Sequence, residues 1–224
     1  MRPIALAGAL AGFTAAAAFA VQSPRLKLGK EVALFNGKDF SGWTHYISDP
    51  EAAMSDVWSI DHAEKAIICK GTPIGYIRTV KDYSDFVLRL DWRFSPVTKR
   101  AGNSGVLLRI VGEDKIWPRC IEAQLMSGAA GDFWLIDEAR LDTPPERVDR
   151  TTPRHRLRSR TNEKPIGEWN TYEITCNGGS VILKVNGETL NKGSDADILS
   201  GKIGLQAEGS EIHFRNLRLR PILR

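Results

Sequence analysis

The sequence predicts an all-β chain folded as a sandwich or barrel of many short strands. Three observations carry that expectation. Ten short runs of alternating or β-rich character recur, at 57–61, 66–70, 75–79, 86–94, 105–111, 121–126, 169–176, 181–185, 202–207 and 212–219. Turn residues separate most of them. Beyond the N-terminal leader, no segment longer than ten residues keeps a 3.6-residue period. The chain has 224 residues, 42% of them hydrophobic and 26% charged, which suits one domain with a sizeable core and excludes disorder of the whole chain.

Residues 1–20 read as a secretory signal peptide. Arg2 precedes an apolar stretch rich in Ala and Leu, and Ala18-Phe19-Ala20 offers small residues at both key positions of a cleavage site. A membrane anchor fits less well, because the stretch is short, half Ala and without a basic stop-transfer flank. No Cys follows the cut to accept a lipid. Cleavage after Ala20 leaves 204 residues with 30 basic and 27 acidic side chains. That weak positive charge does not imply a nucleic-acid partner. An exported protein, periplasmic or extracellular, without stable membrane insertion is expected. Residues 21–31 read as a linker, and 32–222 as the folded domain.

Among the early runs, 66–70 contains Cys69, and the later run 169–176 contains Cys176. With Cys120 these make three cysteines, which cannot all pair within one chain. Three buried thiols are expected in preference to a single disulfide. No CxxC or HxxxH spacing supports a structural zinc site.

The run Gly105-Val-Leu-Leu-Arg109 is apolar and ends in Arg, preceded by the turn Gly102-Asn103-Ser104. Asn103 and Ser104 either serve only that turn or offer hydrogen bonds at a cleft rim. In 121–126, period-2 alternation puts Glu122 and Gln124 on one face and Ile121, Ala123 and Leu125 on the other, towards a core. Arg109 and Glu122 then read either as an inter-strand ion pair on the sheet surface or as part of a polar constellation in a sheet concavity.

Gly128 to Gly131 lacks the spacing of a phosphate loop, and leads into Asp132-Phe133-Trp134. Trp134 is either a sugar-stacking platform or core. Residues 137–168 hold four of the eleven prolines and the basic run Arg154-His155-Arg156-Leu157-Arg158-Ser159-Arg160. This is a long surface excursion, either solvated or a lid whose Arg or His reaches a ligand. Asn186-Gly187 between two strand-like runs marks a type I′ hairpin. Gln206 and Glu208 repeat the i, i+2 polar pattern, as a solvated edge or a site wall. The last run alternates less cleanly, with Phe214, Asn216, Arg218 and Arg220 on one face and Arg215, Leu217 and Leu219 on the other.

Glycosidic sandwiches usually need two carboxylates, whereas the i+2 partner of Glu122 is Gln124, which cannot titrate. A Ser-His-Asp triad lacks its G-x-S-x-G elbow. One carboxylate with Arg and amide neighbours suits proton abstraction next to a carbonyl, which needs a base and donors for the enolate oxygen.

Six ordered motifs span residues 32–221: Leu34-Phe-Asn-Gly-Lys-Asp-Phe-Ser-Gly-Trp43, Tyr83-Ser-Asp-Phe-Val-Leu-Arg-Leu90, Gly102-Asn-Ser-Gly-Val-Leu-Leu-Arg109, Ile121-Glu-Ala-Gln124, Gly167-Glu-Trp-Asn-Thr-Tyr-Glu-Ile174, and Gly204-Leu-Gln-Ala-Glu-Gly209 before Phe214-Arg-Asn216. Together they resemble the 3-keto-disaccharide hydrolase family. The resemblance implies a concanavalin A-like jelly roll of two antiparallel sheets. It also implies a secreted bacterial enzyme acting on sugars oxidised at C3, by C2 proton abstraction, elimination at C1 and hydration. On it, Glu122 is expected as base, with Arg109 and Gln124 orienting substrate or holding the oxyanion. Asn103, Ser104, Trp134, Gln206 and Glu208 are expected to contact sugar, with His155 an alternative acid or base. Many relatives carry Gln-Asp-His-Gly where this chain has Gln206-Ala207-Glu208-Gly209. Members differ in metal dependence, and Glu122, Asp132 and Glu208 are the oxygen donors a divalent ion could use here. The competing function is a non-catalytic carbohydrate-binding module.

Overall fold

A computed structural model describes residues 26–224, and the expected leader lies outside them. In chain order the strands are β1 (Val32–Ala33), β2 (Trp43–Ile47), β3 (Trp58–Asp61), β4 (Ala66–Cys69), β5 (Gly75–Thr79), β6 (Phe86–Phe94), β7 (Gly105–Val111), β8 (Arg119–Gln124), β9 (Phe133–Ile136), β10 (His155–Arg156), β11 (Asn170–Asn177), β12 (Ser180–Val185), β13 (Glu188–Gly193), β14 (Lys202–Ala207) and β15 (Ile212–Pro221). They form two antiparallel sheets. One runs β13-β12-β11-β6-β15-β4-β3, with β1 beside β15, and the other runs β10-β9-β8-β7-β14-β5-β2. Sequence neighbours repeatedly sit in opposite sheets, so this is the jelly-roll sandwich the sequence predicts. No described helix is long and apolar enough to cross a membrane.

The core lies between the sheets. Leu88, Leu90, Ile174, Leu183 and Phe214 from one sheet meet Val106, Leu108, Ile121, Phe133 and Leu205 from the other. Alternation sends the intervening residues of the seven-stranded sheet outward. There Tyr76, Leu107, Ile110, Cys120 and Ile136 form a second apolar cluster on its far face, and the candidate site is built on that face.

Two strands break their alternation at a single left-handed residue. In β15, Asn216 has φ 55° at a register shift between Arg215 and Arg218. Phe214, Leu217 and Leu219 therefore all reach the core, and the expected split of Phe214 from the two leucines does not hold. In β7, Arg109 has φ 55° at a shift between Leu108 and Val111. Leu107 and Ile110, three apart, thus share the far face, and Arg109 turns away from it. The predicted hairpin is present: Asn186 and Gly187 have φ 49° and 86° and join β12 to β13.

Cys69, Cys120 and Cys176 are free, buried thiols. Burial pushes Cys69 and Cys176 up to about 12. The expected linker is partly tied down, since Gly29 N–H donates to Pro221 O at 2.8 Å.

Candidate active site

A cavity of about 310 Å³ opens on the far face of the seven-stranded sheet. Its floor comes from β8, its walls from β9 and β10, and its rim from the chain on either side of β7, β8 and β14. Glu122 and Gln124 line it together, as the period-2 pattern of β8 predicts. Asn103, Trp134, His155 and Glu208 also line it.

Glu122 is 4% exposed, between Leu107 on β7 and Trp134 on β9. Its side chain leans over Gly105. A Cβ added there would lie 2.7 Å from both Cγ and Cδ of Glu122, so the missing side chain makes room for the carboxyl. Its Oε1 is buried without a hydrogen-bond partner, and no ion pair within 4 Å involves Glu122 among the described residues. Burial raises its pKa well above the usual carboxylate range, repulsion from Glu208 adds to this, and Arg154 opposes it.

Gln124 Oε1 accepts the N–H groups of Leu125 and Met126 at 2.8 Å each, which leaves Nε2 to serve the cavity as a donor. Glu208 follows β14. Burial raises its pKa too, opposed by a hydrogen bond from the Asn103 amide. Gln206 does not line the cavity, but β14 register sets it opposite Gly105 and beside Tyr76. Its Oε1 is likewise buried and unpartnered.

Four expected roles need correcting: those of Arg109, Ser104 and Gln206, which do not line the cavity, and the acid–base role of His155. Arg109 is outside the site. Its guanidinium is 1% exposed and donates to Ser84 O (3.0 Å), Gly178 O (2.8 Å) and Ile198 O (2.9 Å), with Asp85 at 3.6 Å. The bulge in β7 is the reason: it sends Arg109 off the face that Glu122 occupies. Ser104 is fully buried, and its hydroxyl clips β7 to β14 by donating to Gln206 O at 2.8 Å, away from the cavity wall. The sequence leaves a divalent site on Glu122, Asp132 and Glu208 open, and the structure gives Asp132 other partners. Asp132 is consumed by His155 Nε2 at 2.8 Å and by Arg158 N–H and Nη1 at 2.7 and 3.0 Å. Among the described residues no group of three His, Cys, Asp or Glu side chains is arranged to hold a metal.

The excursion at 137–168 is a wall of the site. His155 pairs with Trp134 across β10 and β9, and the rings stack at 4.4 Å and 11°. Both ring nitrogens are taken, Nε2 by Asp132 and Nδ1 by Asp149 at 3.1 Å, so no free nitrogen remains for acid–base work. Glu163 adds a further tie, accepting Gly128 and Ala130 N–H at 3.2 and 3.0 Å. These ties deliver Arg154 to the cavity, its guanidinium 5.3 Å from the Trp134 ring centre. Arg154 is the cation felt by Glu122, the part expected of Arg109. Its place in the basic run was the only sequence signal for it. Trp117 and Met126, each 45% exposed, complete the rim and carried no signal beyond their type.

Two carboxyls, amide groups, a guanidinium and two tryptophans line one cavity of this jelly roll, groups that can move a proton, donate hydrogen bonds and offer aromatic faces. The chain belongs to the family described as the 3-keto-alpha-glucoside-1,2-lyase-like domain, whose model matches residues 30–220, and it is in coarse terms a carbohydrate-active enzyme. It is 22% identical to a 3-keto-disaccharide hydrolase of Bacteroides thetaiotaomicron, over 85% of this chain and 78% of that protein. A crystal structure of a candidate glycosyl hydrolase from Parabacteroides distasonis superposes with a TM-score of 0.62 at 23% identity, covering 86% of this chain and 94% of that one. The β-glucanase of Bacillus licheniformis shares the fold at a TM-score of 0.54 and 11% identity, over 91% and 100% of the two chains.

Proposed function

We propose that the chain cleaves glycosides whose glucosyl unit already carries a ketone at C3. The observation that supports this reading is the pairing of Glu122 and Glu208, two carboxyls without ion-pair partners among the described residues, in one cavity beside the Gln124 amide and Arg154. The ketone acidifies the C2 proton. One carboxyl removes it, donors hold the enolate oxygen, and collapse of the enolate expels the C1 leaving group to give the enone. Addition of water completes hydrolysis, while release of the enone makes the same enzyme a lyase. Trp134 and Trp117 supply faces for the sugar, and Asn103 supplies an amide. On the same reading, cleavage of a leader at residues 1–20 would send this activity to the periplasm or the medium.

A second reading has one observation in its favour. Two carboxyls in a cavity are also what hydrolysis of an unoxidised glycoside needs.

The test is incubation of purified protein with a 3-keto-glucoside and with its unoxidised parent in D₂O. The expected result is cleavage of the keto-sugar alone, with deuterium entering C2. Equal cleavage of the parent without exchange establishes the second reading. Binding without turnover of either sugar leaves a carbohydrate-binding module.

A further inference from the structure

We infer that Glu122 works as a neutral carboxylic acid that donates its proton in a hydrogen bond to the C3 oxygen, and that Glu208 is the base that takes the C2 proton. This rests on the keto-sugar reading above and divides its two carboxyls. It reverses the role that the family resemblance implies for Glu122.

Burial decides the division. Glu122 is 4% exposed and is walled by Leu107, Trp134 and the bare backbone of Gly105. The charged groups that face it are Glu208, which repels its anion, and Arg154, which attracts it but makes no ion pair with it. A buried carboxylate with an unpartnered oxygen loses its hydration and gains no replacement, so the proton stays. A carboxyl kept neutral in this way is a hydrogen-bond donor; Oε1 is sealed against Gly105, which leaves the other carboxyl oxygen to serve the cavity. Glu208 is half-buried, and the influence of the Asn103 amide favours its anion. Two interacting carboxyls in one cavity ionise in sequence, and the less buried one ionises first.

The proton count closes. Glu208 carboxylate breaks the C2–H bond and becomes a carboxylic acid. The electron pair forms the C2=C3 enolate, whose oxygen is held by the Glu122 hydroxyl and Gln124 Nε2. The enolate then re-forms the C3 ketone, C1=C2 forms and the C1–O bond breaks. The departing alkoxide takes from Glu208 the proton that came from C2, which restores the carboxylate.

Deuterium exchange at C2 of a 3-keto-glucoside separates the two assignments. Glu208→Gln is expected to lower exchange by about 10²–10⁴-fold. Glu122→Gln keeps an N–H donor and is expected to lose about tenfold or less, while Glu122→Leu, with no donor, loses about 10²–10³-fold. Infrared difference spectra at neutral pH read the proton directly, without a folded mutant being needed for turnover. The wild-type carboxylic-acid carbonyl band is expected, and it disappears in Glu122→Gln. Exchange abolished in Glu122→Gln but kept in Glu208→Gln, or absence of the band from wild type, overturns the inference. If wild type neither cleaves nor exchanges the keto-sugar, the underlying reading fails instead.

Discussion

Replacing Arg109 by Met separates architecture from chemistry. The guanidinium donates to three carbonyls on three separate segments, at Ser84, Gly178 and Ile198, with Asp85 close by. Hydrogen bonds from a charged donor contribute about 1.5–3 kcal/mol each, so three acceptors set a gross loss of roughly 5–9 kcal/mol. Burial of the Met side chain returns about 1.5–3 kcal/mol. Asp85 keeps Gly178 N–H at 2.8 Å and Arg224 at 3.0 Å, so it is not stranded. The net expectation is about 2–7 kcal/mol of lost stability, a range that contains the roughly 3–5 kcal/mol typical of removing one member of a buried ionic cluster. For a chain of this size that lowers the melting temperature by roughly 10 °C. Urea denaturation at neutral pH gives the free energy, and keto-sugar turnover below the transition gives the chemistry. Turnover per folded molecule is expected to stay within about threefold of wild type, since the guanidinium does not line the cavity. A variant of full stability that has lost turnover refutes this placement and returns Arg109 to catalysis.

Two further outcomes are expected. Gly105→Ala puts a methyl 2.7 Å from Glu122 Cγ and Cδ; it is expected to cost about 1–3 kcal/mol in denaturant and to lower turnover at least tenfold, and unchanged kinetics would show that Glu122 does not need its present pose. For pH, the active form has Glu208 ionised and Glu122 protonated, and both groups are shifted upward, Glu122 further. The rate–pH profile is therefore expected to be a bell whose acid limb lies above the usual carboxylate range and whose alkaline limb disappears in Glu122→Gln. Because folding raises the Glu122 pKa, its contribution to stability is full below the ordinary carboxylate pKa and fades as pH rises through the folded value. Glu122→Gln should thus gain in melting temperature relative to wild type as pH rises, and a constant difference would contradict the burial argument.

What was legible in the sequence follows from how local each signal is. Strand periodicity and the Asn186-Gly187 turn are read from adjacent residues, and they predicted most of the sandwich. They also set Glu122 and Gln124 correctly on one face. Arg109 and Asn216 failed for a shared reason: alternation counts residues, and one left-handed residue at a bulge shifts every later side chain to the other face. Arg109 carries no local mark of a bulge, and Asn216, a type enriched at positive φ but without a following glycine, carries only a weak one. The remaining misses are matters of distance. Arg154 reaches the cavity only because a two-residue strand inside a long proline-containing excursion pairs with β9, held there by the buried Asp132 some twenty residues earlier.

Glu208 was singled out by its spacing from Gln206, yet its partnership with Glu122 depends on β14 lying two strands from β8. That is why a shortage of carboxylates along β8 pointed to a one-carboxylate site, whereas the folded sheet supplies two. The keto-sugar reading does not need that shortage. The division of the two carboxyls inferred above needs one that ionises and one that does not, and burial differs in that direction between Glu122, inside β8, and Glu208, past the end of β14.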